Sequence, residues 1–227
     1  MHRIRFPDPR LADPDGLVAI GGDYRPETLI AAYAQGIFPW PCGDLSHAWF
    51  SPDPRFVLLP EELRVSRSLR KTLRRAPYRI TFDHAFEEVI HACATSPRPD
   101  HQGTWIHPDL IEGFVALHRS GVAHSVEAWH GSELAGGLYG IALGAAFAGE
   151  SMFFRQPDAS KAAFVHLVEH LRDWSFHFVD CQVPTEHLER FGATEWPRDR
   201  FLDALSKALE IPTRLGPWHD ENRAQQE

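Results

Sequence analysis

Cysteine is scarce in this chain. Only Cys42, Cys93 and Cys181 occur among 227 residues. The number is odd and no C-x-x-C spacing is present, which excludes a disulfide framework and predicts free thiols in a reducing compartment. There is no H-E-x-x-H, and the 14 histidines are scattered, so no metal site is expected. No apolar run is long enough to cross a bilayer, and no membrane association is expected. The opening Met1-His2-Arg3-Ile4-Arg5-Phe6-Pro7 lacks the apolar stretch of a secretory signal. Excess positive charge is missing too. The formal net charge is −8, which argues against nucleic acid unless the basic residues are gathered in one place.

What remains is the composition of an ordinary globular chain, 43% apolar and 24% charged. The basic residues are indeed gathered. Arg64, Arg67, Arg70, Lys71, Arg74, Arg75 and Arg79 follow one another with no acidic residue between the first and the last. Arg67, Lys71, Arg74 and Arg75 recur at helical spacing and share one face. A solvated helix normally interleaves both signs. A face of one sign in an acidic protein therefore predicts a polyanion site.

A second pattern is a strand–helix–strand unit. Gly144-Ala145-Ala146-Phe147-Ala148 runs into Gly149-Glu150-Ser151-Met152-Phe153. A helix with an apolar stripe at Phe164, Leu167, Val168 and Leu171 follows. Phe176-His177-Phe178-Val179 then ends in Asp180-Cys181-Gln182. Polar groups at strand ends beside an apolar helix face mark ligand sites in folds of this kind. Period-two alternation predicts that Asp180 and Gln182 share one face and that Cys181 points away. Elsewhere the pattern predicts a strand at Leu17–Ile20 and a helix from Pro26 towards Gly36. Further helices are expected at Arg67–Arg75, Phe86–Cys93, Pro108–His118, Thr185–Phe191 and after Pro197, with a meander of three strands from Ser125 to Phe153. The aromatic–proline clusters Phe38-Pro39-Trp40 and Trp49-Phe50-Ser51-Pro52 read as rigid turns, suited to packing between layers or to stacking on a planar ligand. Pro60-Glu61-Glu62 reads as a boundary. The tail from His219 to Glu227 is polar.

Several stretches together resemble the leucyl/phenylalanyl-tRNA–protein transferases. They are Gly21-Gly22-Asp23, Gly36-Ile37-Phe38-Pro39-Trp40, Trp49-Phe50-Ser51-Pro52-Asp53-Pro54-Arg55, Gly103-Thr104-Trp105-Ile106, Gly149-Glu150-Ser151-Met152-Phe153, Ala159-Ser160-Lys161, Asp180-Cys181-Gln182 and Pro197-Arg198. The resemblance implies an α+β chain with a small N-terminal domain, residues 1–60. Residues 61–227 would form a GNAT-like acyltransferase domain, whose mixed, mostly antiparallel sheet is flanked by helices. It implies transfer of Leu or Phe, and less readily Met, from aminoacyl-tRNA to proteins whose N-terminal residue is Arg or Lys, marking them for degradation in the cytoplasm. Three positions depart from the family's habit. Leu138 often is Met there, Phe154 usually is small or polar, and Thr185 often is Asn.

On this reading Asp180 and Gln182 are the catalytic residues. Glu150 holds the α-ammonium of the transferred residue. Leu138, Met152, Phe164, Leu167 and Leu171 line its side-chain pocket, and Tyr33, Trp40 and Trp105 flank the terminal adenosine. Arg67, Lys71, Arg74 and Arg75 meet the tRNA phosphates. An aminoacyl ester is already activated, so no cofactor and no covalent nucleophile is required, and positioning supplies much of the rate. Two rivals stand beside this reading. An N-acetyltransferase would need a glycine-rich turn for CoA, and Arg155-Gln156-Pro157-Asp158-Ala159-Ser160 has no glycine. A non-catalytic RNA-binding module would leave the apolar pocket unused.

Overall fold

The computed structural model describes residues 4–40, 47–96 and 106–218. Cys42, Trp105 and the tail from His219 lie outside them. In chain order the strands are β1 (Leu17–Ile20), β2 (Phe38–Pro39), β3 (Ala48–Phe50), β4 (Arg55–Leu58), β5 (Arg79–Phe82), β6 (Ala123–His130), β7 (Glu133–Leu143), β8 (Ala146–Phe154), β9 (Phe178–Gln182) and β10 (Thr194–Trp196). The helices are α1 (Pro26–Tyr33), α2 (Arg67–Arg75), α3 (Phe86–Thr95), α4 (Pro108–Arg119), α5 (Ala159–Asp173), α6 (Glu186–Glu189) and α7 (Arg198–Ala208). The fold is α+β.

A small sheet has the order β1-β3-β2, and a seven-stranded sheet has the order β10-β4-β9-β8-β7-β6-β5. Every pairing in the large sheet is antiparallel except β8 with β9, where α5 forms the crossover. Parallel neighbours need such a long connection, and the 15-residue α5 supplies it. Alanines at 159, 162 and 163 let α5 approach the sheet closely. Gly136 on β7 is required beneath it: a Cβ there would lie 2.7 Å from the Ala159 Cβ.

Two corners of the architecture differ from the turns expected between Phe38 and Arg55. Arg55–Leu58 is a strand of the large sheet, inserted between β9 and β10. The aromatic clusters contribute β2 and β3 rather than turns alone. The small sheet packs directly on the rest of the chain, because Tyr24, Leu29 and Trp49 share one apolar core with Phe86, Leu110 and Phe114. A second core on the opposite face joins Leu138, Phe147, Phe164, Leu167 and Leu171.

The pairing of β8 with β9 covers only Ala146–Ala148 against Phe178–Asp180, although β8 runs on to Phe154. Beyond Ala148 the two strands are no longer hydrogen-bonded. The residues that follow, Glu150 on one strand and Gln182 on the other, stand at this opening.

Candidate active site

The cavity at this opening has a volume of about 380 Å³, in the range of small-molecule sites. Leu138, Phe147, Met152, Phe164, Leu167 and Val179 give it an apolar wall. Phe38 and Trp40 stand on the side of the small sheet, and Glu150, Cys181 and Gln182 form the polar end. Of the residues expected to line a side-chain pocket, Leu138, Met152, Phe164 and Leu167 do so. Leu171 does not: it lies one turn further along α5, fully buried in the core. Trp40 lines the cavity and is 37% exposed. Tyr33 lies behind the wall, in a small neighbouring void that it shares with Asp180.

The expected alternation of Asp180, Cys181 and Gln182 fails. β4 pairs Val57 with Asp180 and Phe56 with Gln182, so Cys181 is one residue too many on its strand, a β-bulge. Gln182 also has φ 63, and Val183 N–H donates to the Cys181 carbonyl across it at 2.8 Å. The bulge and the tight turn bring Cys181 and Gln182 both onto the cavity, while Asp180 is absent from its lining. Burial pushes the Cys181 thiol pKa far above its usual value, with the Asp180 charge adding to it. A thiol held protonated is a poor nucleophile despite its position.

Asp180 is committed elsewhere. Its two carboxylate oxygens accept from Arg55 Nε at 2.7 Å and Nη2 at 2.6 Å. The side chains are 1% and 6% exposed, Arg55 and Asp180 respectively. Arg55 also donates to the Gly36 carbonyl at 3.1 Å and stacks between the rings of Phe38 and Phe201, 4.7 and 4.4 Å from their centroids. Asp180 Oδ1 further accepts the backbone N–H of Gln182 at 2.9 Å. That bond fixes the strained residue, and Gln182 Nε2 then donates to Glu150 Oε1 at 2.7 Å. Arg55, Asp180, Gln182 and Glu150 are thus one continuous chain of polar contacts, of the kind a buried network needs.

Glu150 is the responsive member. Arg155, five residues on, does not pair with it: Arg155 donates to the Leu134 carbonyl at 3.1 Å and lies over the Phe153 ring. Burial raises the Glu150 pKa to about 8, with the Asp180 charge adding to the rise. The Tyr33 hydroxyl, Gln182 and Arg55 pull the other way. The Tyr33 phenol is itself pushed up, by burial first and by Glu150 second. Glu150 Oε2 and Tyr33 Oη are shielded from water without a well-formed hydrogen bond.

The basic segment is helical as its spacing predicts. Ser66 caps α2 by accepting from Leu69 N–H at 3.2 Å. Leu69 is buried, and Arg67, Lys71, Arg74 and Arg75 are exposed. Among the described residues none of the four has an ion-pair partner. The helix is tied to the start of α5, whose Phe164 lines the cavity, by Thr72 Oγ1 donating to Asp158 Oδ2 at 3.2 Å.

Sequence reasoning gave no individual role to Arg55, His187 or Leu188. The last two line the cavity, as does Phe38 of the aromatic cluster. For Arg55 the available signal was a lone arginine at the head of the apolar run Phe56-Val57-Leu58-Leu59.

Known proteins resemble this chain along almost its full length. The family model described as "Leucyl/phenylalanyl-tRNA protein transferase" matches residues 57–206, and its N-terminal domain model matches residues 22–53. The leucyl/phenylalanyl-tRNA–protein transferase of Anaeromyxobacter sp. (strain Fw109-5) is 59% identical over 217 residues, 96% of this chain and 92% of that one. Its counterpart in Myxococcus xanthus (strain DK1622) is 57% identical over 217 residues, 96% and 93% of the two chains. Among solved structures, L-PGS from Bacillus licheniformis aligns at 8% identity with a TM-score of 0.42, over 82% of this chain and 70% of that one. The identity shared with the transferases over so much of both chains, and the two matching models, place this chain in the leucyl/phenylalanyl-tRNA–protein transferase family.

Proposed function

We propose that this aminoacyltransferase carries Leu or Phe, and less readily Met, from aminoacyl-tRNA to the α-amine of proteins that begin with Arg or Lys. The product is a peptide bond, and the modified protein is marked for degradation in the cytoplasm. One observation carries the reading: an apolar cavity of about 380 Å³ ends in Glu150 and Gln182, and α2 beside it bears cations with no ion-pair partner among the described residues. The splay of β8 from β9 supports a GNAT-like arrangement in which the acyl group enters between the two strands.

The donor's side chain occupies the wall of Leu138, Met152, Phe164 and Leu167. Met152 adapts to both Leu and Phe because its thioether is unbranched. The α-ammonium of the donor meets Glu150, which ionises as the cation arrives. Trp40 offers its exposed face to the terminal adenosine, and α2 holds the phosphates.

Gln182 uses its amide N–H on Glu150, which leaves its carbonyl oxygen to accept from the incoming α-amine. Asp180 acts through Gln182. It holds the Gln182 backbone while its own charge is spent on Arg55. This favours positioning over proton abstraction by Asp180. The amine reaches the ester carbonyl as a free base and attacks it; as the C–N bond forms and the ester C–O bond breaks, the proton the amine gives up passes to the departing tRNA 3′-terminal oxygen.

Transfer of labelled Phe from Phe-tRNA to peptides beginning with Arg, Lys or Ala tests the reading. Label is expected on the first two alone. Equal labelling of all three would overturn the acceptor preference, and no labelling would overturn the activity.

A further inference from the structure

Two large aromatic side chains are exposed among the described residues. Trp40, at 37%, already lines the cavity. Phe154, at 68%, has no part in it. Phe154 is the last residue of β8 and pairs with Gly136 on β7. The face they share is that of α5, because a Cβ at Gly136 would touch Ala159 and Ser160. Met152 lies two residues earlier on the same strand, therefore on the same face, and lines the cavity. Phe154 continues that strand face outside the cavity's lining.

The turn after Phe154 is bound to the basic region. Thr72 of α2 donates to Asp158 at 3.2 Å, and the Tyr78 hydroxyl donates to the Pro157 carbonyl at 2.7 Å. Arg155 is held by Leu134 and Phe153 and does not cover the Phe154 ring. An exposed aromatic ring thus lies, along the chain, two residues after the cavity wall at Met152 and four before the Asp158 that α2 binds.

We propose that Phe154 is a stacking platform for an unpaired base of the donor, in the single-stranded segment that joins the aminoacyl-adenosine to the phosphates held by α2. The inference rests on the aminoacyl-tRNA reading and adds to it a contact outside both the cavity and the cationic face. The chemistry fits: every base has a π-face, so an aromatic ring grips a single strand without regard to sequence. Charge decides the occupant. Cations on α2 attract a polyanion and repel an acceptor protein that starts with Arg or Lys.

The test compares Phe154→Ala and Phe154→Trp on two donors, Phe-tRNA and 3′-O-phenylalanyl-adenosine, with one Arg-starting peptide as acceptor. The exposed position keeps both variants folded, which thermal melting checks. In Phe154→Ala, KM for Phe-tRNA is expected to rise about tenfold, within the range of base–aromatic stacking. KM for phenylalanyl-adenosine, which has no preceding nucleotide, stays within about twofold on the same ground. Phe154→Trp restores the Phe-tRNA value. The salt dependence of tRNA binding keeps its slope, since stacking releases no counterion.

An equal rise for both donors would overturn the proposal by placing the ring in the acyl site. A change confined to the KM of the peptide would overturn it in favour of an acceptor contact. No change at all would overturn it outright. Failure of the wild-type protein to use either donor would sink the transferase reading itself, and the stacking contact with it.

Discussion

Two groups of charges in this molecule are treated in opposite ways. Arg55, Asp180 and Glu150 sit in or against the core, each tied into a network by short hydrogen bonds. Arg67, Lys71, Arg74 and Arg75 stand exposed on α2 without an ion-pair partner among the described residues. A buried pair gains little over an apolar replacement, yet removing one partner strands the other in low dielectric. An exposed unpaired cation does nothing for the fold and is free for a ligand. The first group shapes the site, and the second is available to a partner.

The contrast breaks most visibly at Arg55. Arg55→Met leaves Asp180 buried and unpaired, and unfolding in urea is expected to show a loss of about 3–5 kcal/mol. Asp180→Leu in the same chain should recover most of that stability without recovering transfer, because Gln182 loses the acceptor that fixes its backbone. Recovery of transfer in the double variant would show that Asp180 has no positioning role.

On the cavity wall, Leu167→Trp is expected to fill the acyl site and abolish transfer. The helical circular-dichroism signal should be kept, with a cost of about 1–3 kcal/mol from overpacking. A melted protein would mean that Leu167 serves the core more than the cavity.

The exposed group gives the converse result. Replacing Arg67, Lys71, Arg74 and Arg75 with Ala should leave the melting temperature nearly unchanged. The log–log salt slope of tRNA binding should fall by up to about four, one for each phosphate that is no longer neutralised. An unchanged slope would remove α2 from the tRNA interface.

Glu150 belongs to the buried group but is the member poised to change charge. Its pKa rises from 4.5 to about 8 on folding. The folded chain therefore holds a proton that the unfolded chain has released across that interval. Stability falls as pH rises through it and levels off above 8. Between pH 7 and 9 the loss is expected to be on the order of 1 kcal/mol. Melting curves of Glu150→Gln should lack that part of the decline. The smallest effect belongs to Cys181→Ala, which should retain transfer because the thiol stays protonated.

The same division explains what could be read from the sequence. The α2 face was legible because helical spacing and single-sign charge are both local patterns. The β8–α5–β9 unit was legible for the same reason, since its strands and its helix each carry their own period. β4 and β10 were not: β4 follows directly on the aromatic–proline stretch that reads as a turn, and β10 has only three residues. The bulge at Cys181 was invisible too, since period-two reasoning assumes an unbroken ladder and only the pairing with β4 reveals the extra residue. Arg55 finds Asp180 across 125 positions, a distance over which no local pattern operates. Leu171 continued the apolar stripe faithfully, but a stripe does not say where core ends and cavity begins.

That separation of 125 positions also sets a clock. A chain emerging from the ribosome presents Tyr33, Trp40 and Arg55 early, and β4 then waits for the strands that flank it. β9 and β10 are made more than a hundred residues later. Until they arrive, Arg55 has no carboxylate and the polar end of the cavity lacks Cys181 and Gln182. The cavity is therefore incomplete throughout most of the chain's synthesis, and closes only once nearly all of the large sheet has been made.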